Sequence, residues 1–155
     1  MIKEHDYKTD LEKLQIIAFV PMGNSMWPML KNNGQSVVVE KKKERLNKYD
    51  VAFYIRESGK YVLHRVVEVK DDGYIMQGDS QGFTEFIKEQ NVFGKMLGFY
   101  KGKKYIQCTD EKYIKKVEKW HKGGFCVKLK LKIFYFKLKI KKIFCKIFKQ
   151  KNKRG

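Results

Sequence analysis

The chain is short of several things. Its three cysteines, Cys108, Cys126 and Cys145, contain no CxxC pair. An odd, scattered set excludes a disulfide framework and a zinc site, and reads as reduced, structural thiols. No uninterrupted apolar stretch approaches the roughly 18 residues that a spanning helix needs, which excludes an ordinary transmembrane segment. Met1-Ile2-Lys3-Glu4-His5-Asp6 is charged and no apolar run follows it, so no secretory signal is expected. Acidic residues nearly vanish towards the end. Residues 1–111 hold 18 Lys+Arg against 16 Asp+Glu, whereas residues 112–155 hold 17 against 1. Almost all of the net charge of +18 therefore sits in the last third. Compositional bias would have touched both parts alike, so the asymmetry predicts an anionic partner for the tail, either a lipid surface or nucleic acid.

What is present fits one modest domain, residues 1–108, with an appendage, residues 109–155. Thr9-Asp10-Leu11-Glu12 has the capping-box pattern, which predicts a helix from about Asp10 to Leu14 capped by Thr9. Strands are expected at Ile16–Val20, Ser36–Glu40, Val51–Arg56, Tyr61–Val69, Tyr74–Gln77 and Asn91–Tyr100, the last one bulged at Gly94 and Gly98. Hairpin turns are expected at Glu57-Ser58-Gly59-Lys60, Asp71-Asp72-Gly73 and Lys101-Gly102-Lys103-Lys104. Lys41–Arg45 reads as a solvated loop. Many short strands between Gly, Asp and Asn turns indicate a mainly-β domain of coiled or barrel-like sheet.

Beyond Cys108 the pattern changes. Thr109-Asp110-Glu111 caps a helix with Ile114, Val117 and Trp120 on one face, ended by Gly123-Gly124. Val127–Ile133 alternates with period 2. From Leu138 the apolar residues Ile140, Ile143, Phe144, Ile147 and Phe148 take helical spacing, with Lys139, Lys142, Lys146 and Lys149 opposite. A basic helix with such a face lies flat in an anionic membrane interface, so residues 125–155 are expected to bind one. Nucleic acid is the weaker contender, because the chain has no recognisable reading motif.

Three stretches carry the chemistry. In Gly23-Asn24-Ser25-Met26-Trp27-Pro28-Met29-Leu30, a serine follows a predicted strand and rides a turn stiffened by Pro28. Gly23, without a Cβ, is expected to admit a close backbone. A fixed, exposed Oγ suits a nucleophile. The second stretch, Tyr61–Val69, holds His64, whose imidazole can act as a base near neutral pH. His5 and His121 lie in terminal or charged contexts without such an argument. The third is Gln77-Gly78-Asp79-Ser80.

Together, in this order, the stretches resemble the type I signal peptidase family and its LexA-like self-cleaving relatives, over roughly residues 16–100. Ser25-Met26-Trp27-Pro28-Met29-Leu30 matches the family's serine box. Lys48–Phe53 fits its Gly-Asp-Ile/Val-Val-Phe strand with Tyr49 in place of glycine, and Gly78-Asp79-Ser80 fits its Gly-Asp-Asn turn with Ser80 in place of asparagine. His64 stands where the familiar bacterial enzymes carry lysine, which is similar to the endoplasmic-reticulum and sporulation-type branch.

The resemblance implies a signal-peptidase-like β fold and a serine endopeptidase that cuts extended leader or signal-like peptides after small residues, with no cofactor and no metal. Ser25 is then the nucleophile and His64 the base. Glu85 is the expected orienting acid, six residues past Asp79, with Asp79 supporting the site and Asp50 structural. The Ser25 N–H belongs to the expected oxyanion hole. Gly23 replaces a hydroxyl residue that adds a second donor in many members. Gly23, Met26, Trp27 and Pro28, with Ile17, Phe19 and Met22, are candidates for the substrate groove, and the apolar ones are equally good core candidates. The departures at Gly23, Tyr49, Ser80 and Glu85 leave a second reading open, a non-catalytic peptide- or membrane-binding module of the same fold. The lysine-rich tail suits the cytoplasmic face of a membrane, as a peripheral attachment.

Overall fold

Apolar β-branched and aromatic runs divided by short Gly and Asp turns build a single antiparallel sheet. The computed structural model describes residues 6–31 and 34–151, and the side chains of these except at 124–126, 128 and 142–151. Helix α1 (Tyr7–Leu14) leads into strands β1 (Ile16–Phe19), β2 (Val37–Lys41), β3 (Val51–Ile55), β4 (Tyr61–Lys70), β5 (Gly73–Gln77), β6 (Glu85–Lys88), β7 (Val92–Lys101) and β8 (Lys104–Gln107). Helices α2 (Glu111–Lys122) and α3 (Gly124–Lys151) follow. The strand order is β1-β2-β7-β3-β4-β5-β6, with β8 on β7. The chain is thus mainly β, with eight antiparallel strands and two C-terminal helices. It forms two compact units, Met1–Glu118 and Lys119–Gly155, which divide within α2.

The centre of the sheet is β3, buried on both faces. Ala52 and Tyr54 point into a core with Leu46, Val66, Tyr74, Met76 and Val92. Phe53 points the other way, into a cluster with Tyr7, Phe19, Tyr61 and Phe93 at ring separations of 5.0–5.8 Å. Each such ring pair adds about 0.5–1.5 kcal/mol beyond the area buried. The hairpin between β3 and β4 closes where expected, with Arg56 N donating to Lys60 O at 3.0 Å across a turn that also joins Gly59 N to Arg56 O at 2.9 Å. That closure sets the register, pairing Ala52 with His64. Strand β7 is irregular against β2 between Val38 and Val39, and against β3 between Phe53 and Tyr54. These are the bulges expected near Gly98 and Gly94.

Four expectations need correction. Helix α1 begins earlier, because Asp6 and not Thr9 caps it: Asp6 Oδ1 accepts from Thr9 N at 3.3 Å. The run Lys41–Arg45 is not wholly solvated, since Lys42 and Arg45 pair with Glu89 at 2.9 and 3.4 Å. Strand β6 was not expected at all. Finally, the alternating segment Val127–Ile133 is helical, part of the continuous α3. This places Leu129, Ile133, Phe136 and Ile140, all exposed, at spacings of four, three and four, hence on one helix face. The side chains of Ile143, Phe144, Ile147 and Phe148, and of Cys126 and Cys145, lie outside the described residues.

Among the described residues no helix is long and apolar enough to cross a membrane.

Candidate active site

Strand β4 places two buried ionisable residues in succession. Neighbours on a strand face opposite ways, so His64 and Arg65 serve two different constellations.

On one face His64 is 2 % exposed. Its Nδ1 lies 3.0 Å from Glu85 Oε1 and 3.0 Å from the Tyr54 hydroxyl. The hydroxyl donates to the same Glu85 oxygen at 2.6 Å. Arg56 holds the carboxylate from two sides, Nε donating to Oε2 at 2.8 Å and an Nη to Oε1 at 2.6 Å. With the tyrosine proton spent on Glu85, Nδ1 of a neutral His64 is the protonated nitrogen, and Nε2 keeps its lone pair. Burial opposes charge on Glu85, but the hydrogen bonds from Arg56 and Tyr54 outweigh it and hold the carboxyl below its ordinary range. Burial likewise pulls His64 below its ordinary range, despite the opposing charge of Glu85. Burial and then Glu85 push Tyr54 far up. Both shifts favour a neutral imidazole beside an ionised carboxylate, an arrangement suited to general-base chemistry.

On the other face Arg65 forms a bidentate pair with Asp79 at 2.7 and 2.7 Å, both side chains buried. Arg65 also donates to Tyr49 O at 2.8 Å and to the Tyr113 hydroxyl at 3.1 Å. Asp79 is therefore engaged by Arg65, while Glu85 is the carboxylate on His64. Asp50 accepts from Asn47 N at 2.8 Å and pairs with Lys95 at 2.9 Å.

Ser25 follows β1 on an irregular turn tied by Trp27 N to Asn24 O at 3.0 Å and Leu30 N to Met26 O at 2.8 Å, with a cis Trp27–Pro28 bond. The Gly78-Asp79-Ser80 turn clamps it. Ser80 N donates to Ser25 O at 2.8 Å, and the Ser80 hydroxyl reaches Asn24 O at 2.8 Å and Ser25 O at 3.1 Å. The close backbone approach falls at Gly78, where a Cβ would sit 2.8 Å from Ser25 O. Gly23, where that approach was expected, has open space instead; its φ of +95° is what calls for glycine. Because Gln77 pairs with Arg65, this clamp sets the serine turn at the end of β5, one strand from β4. Among the described residues Ser25 N–H has no protein acceptor, and no hydrogen bond joins Ser25 Oγ to His64.

Of the groove candidates, Met26 is buried, Trp27 and Pro28 are half-buried, and Met22 is 96 % exposed. Among the described residues no group of His, Cys, Asp and Glu is placed to hold a metal ion. Cys108 is a free thiol that burial pushes up to about 12, which leaves it unreactive.

No protein-family model and no curated protein matches the chain. The site rests on its own geometry.

Sequence reasoning missed Tyr54 and Arg56. The signal was available: with the hairpin turn at 57–60 fixing Ala52 opposite His64, strand alternation puts Tyr54 and Arg56 on the His64 face.

Proposed function

We propose that the chain is a serine endopeptidase of signal-peptidase type and fold, with Ser25 as nucleophile, His64 as general base and Glu85 as orienting acid. The observation that carries this reading is the Nδ1 of buried His64 held at 3.0 Å by a carboxylate that Arg56 keeps ionised. In the reaction Ser25 Oγ attacks the scissile carbonyl while His64 Nε2 takes its proton. The Ser25 N–H, which has no protein acceptor among the described residues, is available to the developing oxyanion. The imidazolium, steadied by Glu85, protonates the leaving amine, and a water then releases the acyl group from Ser25 by the reverse route. Asp79 acts through Arg65 and the serine turn as a positioning residue.

The edge strand β1, which pairs only with β2 among the described strands, supports binding of an extended peptide by strand addition just ahead of Ser25. Small residues at the cut follow from the resemblance. The exposed stripe Leu129, Ile133, Phe136 and Ile140, within a helix carrying Lys130, Lys132, Lys137, Lys139 and Lys141, supports peripheral attachment to an anionic surface, with the cytoplasmic face as its proposed location.

A specific observation favours a second reading, a non-catalytic module of the same fold: Ser25 Oγ has no hydrogen bond to His64. Such bonds commonly tighten only with substrate bound. Labelling of the full chain with a serine-directed phosphonate separates the two. Labelling that Ser25→Ala and His64→Ala both abolish supports the peptidase. A Ser25 that stays unlabelled from pH 5 to 9, with anionic vesicles present, leaves the binding module.

A further inference from the structure

A cavity of about 260 Å³ opens beside the serine turn, walled by Pro28, Phe99 and Ile106 and half open to solvent. Its rim is assembled from three separate places. The loop after the serine turn gives Lys31, the β7–β8 hairpin gives Lys101 and Lys104, and α2 gives Lys112 and Lys116. None of these five lysines makes an ion pair among the described residues.

The same helix shows what a balanced lysine looks like. Lys115 pairs with Glu111 one turn away at 2.6 Å. Lys112 and Lys116 are also one turn apart, and like charges at that spacing repel. Asp110 is the one carboxylate in the wall, and its Oδ1 already accepts from Lys112 N and Tyr113 N at 2.8 and 3.1 Å. Partial burial, followed by the charge of Lys101 and helped by Lys31, holds the Lys116 ammonium below its ordinary range even against the pull of Asp79. Five lysines from three segments, all exposed, line one concavity, and their summed charge suits a multiply charged anion. A carboxylate would leave most of that charge unmatched, whereas phosphate groups accept from several ammonium groups at once. The volume lies a little below the usual small-molecule range of roughly 300–1,000 Å³, which suits a headgroup-sized ligand.

We propose that this cavity binds a phosphate-bearing small ligand, its anionic groups among Lys31, Lys101, Lys104, Lys112 and Lys116 and its apolar part against Pro28, Phe99 and Ile106. The ligand is either a free di- or polyphosphate compound or the headgroup of an acidic phospholipid. The site stands whether or not Ser25 is a nucleophile. If both hold, the occupant touches Pro28 of the turn that carries Ser25, and Tyr113, which binds Arg65.

The basic tail would attract any polyanion, so the test compares like with like. The ¹⁵N-labelled full chain is titrated with inorganic pyrophosphate and, separately, with a short-chain phosphatidic acid below its micellar concentration, at physiological salt. The expected result is saturable shifts at the amides of Lys31, Gln35, Lys101, Ile106 and Tyr113. The double variant Lys101→Gln/Lys116→Gln should weaken binding at least tenfold, while the charge-matched pair Lys130→Gln/Lys132→Gln in α3 changes it less than twofold. Pyrophosphate binding as tightly as the lipid identifies a free phosphate ligand, and a tenfold preference for the lipid identifies a headgroup. Shifts that never saturate at the cavity, or equal weakening by the two variant pairs, would overturn the proposal.

Discussion

Successive residues on β4 each meet a carboxylate and a tyrosine, yet the two clusters are built to opposite ends. Arg65 and Asp79 are sealed, bidentate and permanently charged; burial opposes the arginine's charge, but Asp79 and then Tyr113 raise it far above any accessible pH. His64 and Glu85 share one hydrogen bond, Glu85 is partly open to solvent, and burial shifts the imidazole towards its neutral form. The first cluster cannot change state without breaking the fold. The second is one proton away from another state. A buried ion pair with both charges locked serves as scaffold, whereas a pair in which one partner still titrates is a candidate for chemistry.

On the proposed mechanism the largest effect comes from Glu85→Gln. An amide there no longer fixes the Nδ1–H tautomer, so phosphonate labelling of Ser25 should slow by about 10⁴-fold while the chain stays folded. Wild-type labelling rates for this variant would break the comparison. In the unaltered protein, labelling should rise with pH and level off with a midpoint below the ordinary histidine value of about 6.5. The same depressed pKa has a sign in stability. The unfolded chain binds the His64 proton first as pH falls, so stability declines below about 6.5 until the folded His64 also protonates. Urea midpoints at pH 7.5 and 5.5 measure this, and His64→Gln should flatten the difference.

Asp79→Ala acts first on stability and reaches Ser25 labelling only through the serine turn. It strands the Arg65 guanidinium in the interior and should cost about 3–5 kcal/mol in urea unfolding. Replacing both partners with apolar residues, Arg65→Met with Asp79→Leu, should recover much of that loss, because no charge is then left buried alone. The attendant tyrosines sharpen the contrast. Tyr54→Phe and Tyr113→Phe each remove a hydrogen bond to a charged group, worth about 1.5–3 kcal/mol. Only Tyr54→Phe should also slow labelling, since Tyr54 alone meets His64. Equal effects of the two on labelling would mean that the clusters are not separate.

How much of this was legible depended on range. Local rules located the hairpin turn at 57–60, the bulged β7 and the clamp motif Gly78-Asp79-Ser80, because each is written in a few adjacent residues. Strand β6 was invisible: Glu85-Phe86-Ile87-Lys88 has two apolar residues between charges, and only its ladder with β5 makes it a strand. The alternation of Val127–Ile133 was misleading. Lysine at every second position mimics a half-buried strand, but α3 runs unbroken through it. In that helix every fourth or third apolar residue still forms a stripe. Arg56 joined the site through a register that has to be counted across a hairpin, which composition alone never shows.

The smallest prediction concerns Tyr49, on the scaffold side. It stands where the resembled motif has glycine, and its φ is +75°, a left-handed conformation that costs a residue with a Cβ about 1–3 kcal/mol. Its backbone explains why the conformation persists: Tyr49 N donates to Val66 O at 2.7 Å, and Tyr49 O accepts from Arg65 at 2.8 Å. Lys48 lies over the ring at 5.3 Å, a contact of about 0.5–1 kcal/mol at an exposed site. Tyr49→Gly relieves the backbone but loses that contact and gives the unfolded chain more freedom. The balance should be a gain of about 0.5 kcal/mol, read as a small rise in the urea midpoint, with Ser25 labelling unchanged. Loss of stability would mean that the ring, not the backbone hydrogen bonds, holds this corner of the Arg65 scaffold.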